Sequence, residues 1–377
     1  PLGWIMNIAK SHDYEVPVKM VYDQEKLKAV IKKMPCFKKK NIVKPQDAYM
    51  AYTENGFAII PEVEGSKPLK EQIFADVFAA VEARQEILKL DGDDYAAPAI
   101  RAEDPSLQAK MAVVDRYRDM SITYEIEGYE EVLTGETILS WITFDEDLNV
   151  TVDPDKAANY AQYLASTYNT FADTRSFKTT GHGTITIGGG DYGWIVAKMA
   201  EAQQLIADIT AGESVKREPC WEQRAYVGGT DDIGNTYIEL DYTGQHLYYY
   251  QNGQLVLESD IVSGRMSNGN GSPDGVFKVI SRQRDYTLVG EDYESKVDYF
   301  LPFAYNVGFH DAYWIPSFGG SYYKNNGSHG CINLPYDVAE TLYNTVELGT
   351  PVIAYYREAE TLQSDHARIS NAYSYNN

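Results

Sequence analysis

The run Gly327-Ser328-His329-Gly330-Cys331-Ile332-Asn333-Leu334-Pro335 sets a thiol beside a glycine, and 18 positions before Ser328 stands His310, in Gly308-Phe309-His310-Asp311. Thiol, imidazole, an adjacent acid and an uncrowded backbone are what acyl transfer needs: a nucleophile, a base, an orienter and amides for an oxyanion. A free thiol has a pKa of about 8.5, so near neutrality a nearby imidazole must accept its proton or stabilise the thiolate. His310 is the expected base. Asp311 is expected to hold the other ring nitrogen, through either its carboxylate or its backbone carbonyl. His329 lies too close to the thiol along the chain for an in-line proton relay and is assigned to orienting substrate or shaping the anion site. Gly330 removes a side chain where amides must approach, so the N–H groups of Gly330 and Cys331, with His329 joining them, are the expected hole. Ser328 can hydrogen-bond within this loop or to substrate.

The same side chains are zinc-ligand types. There is no Cys-x-x-Cys and no His-x-x-x-His, however, and adjacent His310-Asp311 is poor ligand spacing, so neither a metal nor another cofactor is expected. The intervening Ala312-Tyr313-Trp314-Ile315-Pro316-Ser317-Phe318-Gly319-Gly320 suits one wall of a substrate groove, with Trp314 preferred and Tyr313 beside it. The other reading is a loop whose aromatics cover the sheet. His12, His182, His246 and His366 have no thiol nearby in sequence and read as surface or packing residues.

The elements that must position this chemistry occupy a chain of 377 residues, 44% hydrophobic and 23% charged, long enough for two or three domains. A formal charge of -22 repels nucleic acid and anionic lipid over most of the surface. No apolar run approaches the roughly 18 residues needed to cross a bilayer. The opening Pro1-Leu2-Gly3-Trp4 lacks an initiator Met and reads as a cleavage scar of a recombinant fragment, a targeting segment having been removed. Of three cysteines, Cys36 and Cys220 are expected to be buried structural thiols, with a disulfide between them as the lesser alternative, while Cys331 has a reason to stay free.

The first two thirds alternate helix and strand. Ile73, Val77 and Val81 predict a helix within Leu69 to Leu90; Asp153-Pro154 opens a second carrying Ala157, Ala161, Leu164 and Tyr168; a third carries Ile195, Met199, Ala202, Ile206 and Ile209 and stops at Gly212. Gly56 to Ile60 before the first helix is echoed by Thr184 to Ile187 before the third. This gives either two related α+β modules, residues 1–115 and 116–220, or two unrelated segments of one domain. From residue 228 to 357 the texture is mainly β. Asn252-Gly253 predicts a type I′ hairpin between Leu247-Tyr250 and Gln254-Leu257. The glycine-rich stretch Ser263 to Val276 predicts a mobile loop, Pro335 to Glu347 a helix and Pro351 to Tyr356 a closing strand. Residues 358–377 read as a tail.

The wording around Cys331 resembles the active-site motif of the L,D-transpeptidases, bacterial cell-wall enzymes with a catalytic cysteine. That motif has a histidine ahead of a Ser or Thr that opens His-Gly-Cys, then a hydrophobic residue and commonly Asn or Arg; here 17 residues separate His310 from Ser328, and Ile332 and Asn333 fill the last places. Ser272-Pro273-Asp274-Gly275 stands where the family usually has Thr-Pro-x-Gly. The two modules resemble the repeat found upstream of such domains in Gram-positive enzymes and described as peptidoglycan-binding, on Lys44-Pro45-Gln46-Asp47-Ala48-Tyr49, Pro61-Glu62-Val63-Glu64-Gly65 and Gly190-Asp191-Tyr192-Gly193-Trp194. The resemblance implies a multidomain α+β protein, its N-terminal modules followed by a mainly-β catalytic sandwich, and adds Asn333 to the substrate-binding residues. It implies attack by Cys331 on the bond before the terminal D-Ala of a donor stem tetrapeptide, then transfer to the side-chain amine of a neighbouring stem to give a 3-to-3 cross-link without a cofactor. It also implies acylation of Cys331 by carbapenem-type β-lactams. Water as acceptor would make an L,D-carboxypeptidase, and a silent site would leave a peptidoglycan-binding protein; a cytoplasmic thiol hydrolase is a third alternative. The expected location is outside the cytoplasm of a Gram-positive bacterium, by anchor or secretion.

Overall fold

The computed structural model describes residues 20–363, apart from 55, 146, 230, 291, 292 and 359. Pro1 to Trp4, His12, His366 and most of the expected tail lie outside the described residues. The chain divides into two units, Pro1–Arg116 and Tyr117–Asn377. Among the described residues no helix is long and apolar enough to cross a membrane.

In the first unit a hairpin pairs Tyr49–Thr53 with Gly56–Ile60, and a helix follows at Lys70–Glu82. Ile73 and Phe74 meet Ile31 of the helix Gln24–Ile31 in a small core. The helix ends about two turns before Leu90. Gln85 N–H bonds back to the Ala80 carbonyl and Arg84 takes φ 56°, a left-handed closure made without the glycine that usually marks one.

The second unit begins with Ser121–Ile126, paired antiparallel with Tyr129–Thr134 and parallel with Val215–Arg217. Two helices, Pro154–Tyr168 and Lys198–Ala211, pack on each other and reach this sheet through hydrogen bonds from Tyr160 to Glu131 and from Tyr124 to Glu201. Asp153 caps the first through the N–H groups of Asp155 and Lys156, as its position before Pro154 predicts. The second starts three residues later than expected. Ile195 belongs to a short strand paired with Trp221–Gln223, and Met199 is exposed. The buried face of that helix includes Glu201 and Asp208, whose carboxylates hold Arg217, so half of it is polar and invisible to an apolar stripe.

The region after residue 228 forms two packed sheets. We label its strands β1 (Tyr237–Asp241), β2 (His246–Gln251), β3 (Gln254–Asp260), β4 (Gly275–Lys278), β5 (Gln283–Val289), β6 (Glu294–Ala304), β7 (Val307–Asp311), β8 (Ile332–Leu334) and β9 (Pro351–Tyr355), with helix α1 (Tyr336–Thr345) between the last two. One sheet runs β3-β2-β1-β9-β4 and the other β5-β6-β7-β8. Leu240, Leu247, Phe277, Leu301, Phe309 and Ile332 fill the shared core, which Ala339 and Leu342 of α1 complete. The β2–β3 turn has Asn252 and Gly253 at φ 51° and 78°, as a type I′ turn requires. The expected mobile loop from Ser263 to Val276 is instead packed: Ser263 and Ser272 are fully buried, and Ser272 Oγ accepts from the Gly264 N–H. Cys36 and Cys220 are both free thiols, part-exposed rather than buried.

These two sheets and the segment before them are joined within this unit by buried polar bonds. Asp191 and Tyr192 both donate backbone N–H to the Val276 carbonyl, Arg175 pairs with Asp232, and the buried Glu239 accepts from the N–H and hydroxyl of Thr180.

Candidate active site

Strands β7 and β8 are parallel, with Phe309 opposite Ile332 and His310 opposite Asn333. Alternation along a strand then fixes every side chain: Phe309, Ile332 and Leu334 enter the core, while His310, Asn333 and Cys331 share the other face. The spacing of the motif is thus read out as one strand pairing, and all three residues line one groove of about 310 Å³.

His310 is buried and its Nδ1 lies 2.9 Å from the Asp311 carbonyl oxygen. A carbonyl only accepts, so the proton sits on Nδ1 and Nε2 carries the free lone pair. The Asp311 carboxylate turns away and accepts from the N–H groups of Asp298 and Tyr299, both at 2.9 Å. Of the two ways Asp311 could orient the ring, the backbone carbonyl is the one used. Asp311→Asn should therefore leave the pH profile of Cys331 acylation within about twofold while lowering stability by roughly 1–3 kcal/mol through the lost charge-assisted bonds. Acylation rates and thermal melts of that variant check both halves.

Cys331 Sγ donates to the Asn306 carbonyl at 3.5 Å, and Leu288, Val297 and Phe300 pack around it. Burial pushes the thiol up to about 11, against the opposing pull of the Gly308 N–H. Burial also holds His310 below its ordinary value, opposed by its bond to the Asp311 carbonyl. Both shifts have the same cause, burial, which disfavours the charged form of each group.

Ser328 acts within the loop. Its hydroxyl donates to the Cys331 carbonyl at 2.5 Å and accepts from the Gly330 N–H at 2.9 Å. This corrects one member of the expected oxyanion hole, since the Gly330 amide is already engaged by Ser328. Gly330 sits at φ 129°, where any Cβ is strained and would also come within 3.2 Å of Val307. His329 is exposed and stacks on Tyr293, ring centroids 4.5 Å apart.

The segment before β4 holds this loop from behind. Ser328 N–H donates to the Ser263 carbonyl, Arg265 N–H to the Ser328 carbonyl, and the buried Ser272 hydroxyl to the Gly330 carbonyl at 2.6 Å. Ser272 was visible in the sequence only as a motif position; its role as a brace of the Gly330 peptide was not. Ser272→Ala should lower the acylation rate about tenfold with little change in half-saturation, the effect of one lost bond on positioning. Ser272→Thr should keep the rate.

Trp314 lies over His310, centroids 6.0 Å apart, and lines the groove. Tyr313 does not line it; 77% exposed, it packs edge-on against Trp314 from outside. Asn333 lines the groove floor while its side-chain amide donates to the Val262 carbonyl. The opposite wall, Leu288 and Tyr293, comes from the β5–β6 hairpin, which sequence reasoning did not connect with the site. His182 and His246 stand elsewhere, beside Asp241 and Asp260. Among the described residues no group of three or more His, Cys, Asp or Glu is arranged to hold a metal.

Comparison with known proteins agrees with this geometry. Residues 235–353 match the L,D-transpeptidase catalytic domain model, and residues 4–88 and 100–216 match a model described as a proposed peptidoglycan binding domain. No curated protein matches at a significant level. Among solved structures, a Cys-to-Ser mutant of the Enterococcus faecium L,D-transpeptidase is 36% identical, covering 65% of this chain and 99% of its own, at a TM-score of 0.55. The carbamoyl enzyme that Ldtfm forms with avibactam is likewise 36% identical, covering 66% and 98%, at 0.55. With Cys331 and the carbonyl-held His310 on one strand face, and with 36% identical relatives covered over almost their whole length, the chain belongs to the L,D-transpeptidase family.

Proposed function

We propose that the protein forms 3-to-3 peptidoglycan cross-links through a Cys331 thioester. The observation that carries this is the shared face of Cys331 and His310, with His310 Nε2 free to accept. The thiol proton passes to Nε2 as Sγ attacks the carbonyl before the terminal D-Ala of a donor tetrapeptide stem. The Cys331 N–H supports the oxyanion, and D-Ala leaves with the proton from His310. The side-chain amine of a neighbouring stem then attacks the thioester, and its proton returns through His310 to the thiol. Trp314, Tyr293 and His329 make an aromatic rim that holds the stem and shields the thioester from water.

Acylation of Cys331 by carbapenem-type β-lactams belongs to the same reading, and a 36% identical relative is captured covalently by a different reagent, avibactam, as a carbamoyl enzyme. So does a place outside the cytoplasm of a Gram-positive cell, secreted or anchored, because that is where stem peptides are exposed. Incubation with disaccharide-tetrapeptide and an acceptor stem, followed by mass analysis, tests the function. A dimer lighter by one D-Ala per bond is expected; tripeptide alone would mean a carboxypeptidase, and unchanged substrate would overturn the reading.

A further inference from the structure

Away from the groove, a cleft of about 340 Å³ opens in the second unit between the Ser121–Ile126/Tyr129–Thr134 hairpin, the end of helix Pro154–Tyr168 and the segment from Glu218 to Gly229. Its walls are aromatic. Trp194 and Trp221 lie 4.6 Å apart, and Tyr129 meets Tyr168 edge-on at 5.5 Å. The polar ends of two of these rings are committed elsewhere: Trp194 Nε1 donates to the Val227 carbonyl and the Tyr168 hydroxyl to Glu131. What these two offer a ligand is therefore ring surface, although the Arg224 guanidinium already lies over the Trp194 ring, 5.8 Å from its centroid. The one cation lining the cleft, Arg224, is neutralised by Glu218 at 2.5 Å. Glu127 and Asp173 also line it, and neither has a cationic partner among the described residues.

Two excess carboxylates in a cleft walled by electron-rich rings select a cation and repel an anion. The tight closure of the hairpin turn over the 228–229 segment, where Glu127 accepts the Gly228 N–H at 2.9 Å, makes the cleft a formed pocket rather than a surface dip. We infer that this cleft binds the protonated side-chain amine of an uncross-linked stem peptide, with the adjoining peptide or sugar packed on Trp194 and Trp221. This rests on the function proposed above. Cross-linking turns that amine into a neutral amide, so the cleft distinguishes strands that can still accept from strands that cannot. The buried bonds joining its module to the catalytic sheets hold it in fixed relation to the groove.

The test titrates the full chain carrying Cys331→Ala calorimetrically with disaccharide-tripeptide bearing a free side-chain amine, and with the same compound N-acetylated on that amine. Acetylation should weaken binding by about tenfold or more, as should Trp221→Ala, and the exposed Asp173→Asn by several-fold. With Cys331 intact, both cleft variants should keep the parent rate of β-lactam acylation, which also shows that they fold. Equal binding of the acetylated compound, parent-like binding by both variants, or no binding at all would overturn the inference. Cross-linking by a protein that shows no titration sinks the cleft alone; a normal titration in a protein that makes no cross-link sinks the proposed activity alone.

Discussion

His310→Gln is expected to slow acylation of Cys331 by about 10²–10⁴-fold at pH 7, the usual range for loss of a general base. The reason lies in the burial of the thiol. With burial pushing its pKa up to about 11, the thiol keeps its proton near neutrality unless a base removes it during attack. The two proteins should also differ in pH dependence. The parent needs His310 neutral; burial has lowered its pKa below the ordinary value, so the parent rate falls only as pH drops through that lowered pKa and is flat above it. The variant has no such base, and its residual rate should climb about tenfold per pH unit towards 11. Intact-mass kinetics with a β-lactam between pH 6 and 10 separate the cases. A variant rate equal to the parent's, or one that ignores pH, would remove His310 from the base role.

Arg175→Met should be the most damaging change outside the groove, costing roughly 3–5 kcal/mol as for other broken buried ion pairs. Asp232 is fully buried, and its carboxylate takes Arg175 Nε at 2.7 Å, Arg175 Nη2 at 2.6 Å and the Thr170 hydroxyl at 2.6 Å. Removing the guanidinium leaves a buried charge with one hydroxyl. Arg175 also donates to the carbonyls of Asp173 and Thr170, so the loop joining helix Pro154–Tyr168 to the following strand loses its tie as well. A fall in melting temperature of about 10 °C is expected for a unit of this size. The double variant Arg175→Met/Asp232→Leu should recover part of it, because no charge is then stranded. A melting temperature within 2 °C of the parent's, about the shift for 1 kcal/mol, would show that the pair contributes little.

How far the sequence could be read depended on whether a residue's partner was near it in the chain. Asp153-Pro154 and Asn252-Gly253 act on their own backbone, and both turned out as read. The helix end at Arg84 was hidden because its left-handed closure uses a residue type that carries no such signal. In the helix Lys198–Ala211, Glu201 and Asp208 are buried by Arg217, so the inward face does not look apolar. Cys331 and His310 were legible as chemistry, but their meeting needed the β7–β8 pairing. The brace from Ser272 to the Gly330 carbonyl spans 58 residues, and the choice between the carbonyl and carboxylate of Asp311 is a matter of χ angles; neither leaves a trace in residue types. The same holds for Leu288 and Tyr293, ordinary hairpin residues until β5 and β6 fold beside the nucleophile.

The most direct measurement of the central claim is intact-mass spectrometry of the protein incubated with disaccharide-tetrapeptide in the absence of acceptor. The account predicts a covalent adduct equal to the donor less D-Ala, localised to Cys331, removed by hydroxylamine and absent from Cys331→Ala. A protein that releases D-Ala with no adduct at any time and no loss of activity in Cys331→Ala, or an adduct that survives in that variant, would contradict it.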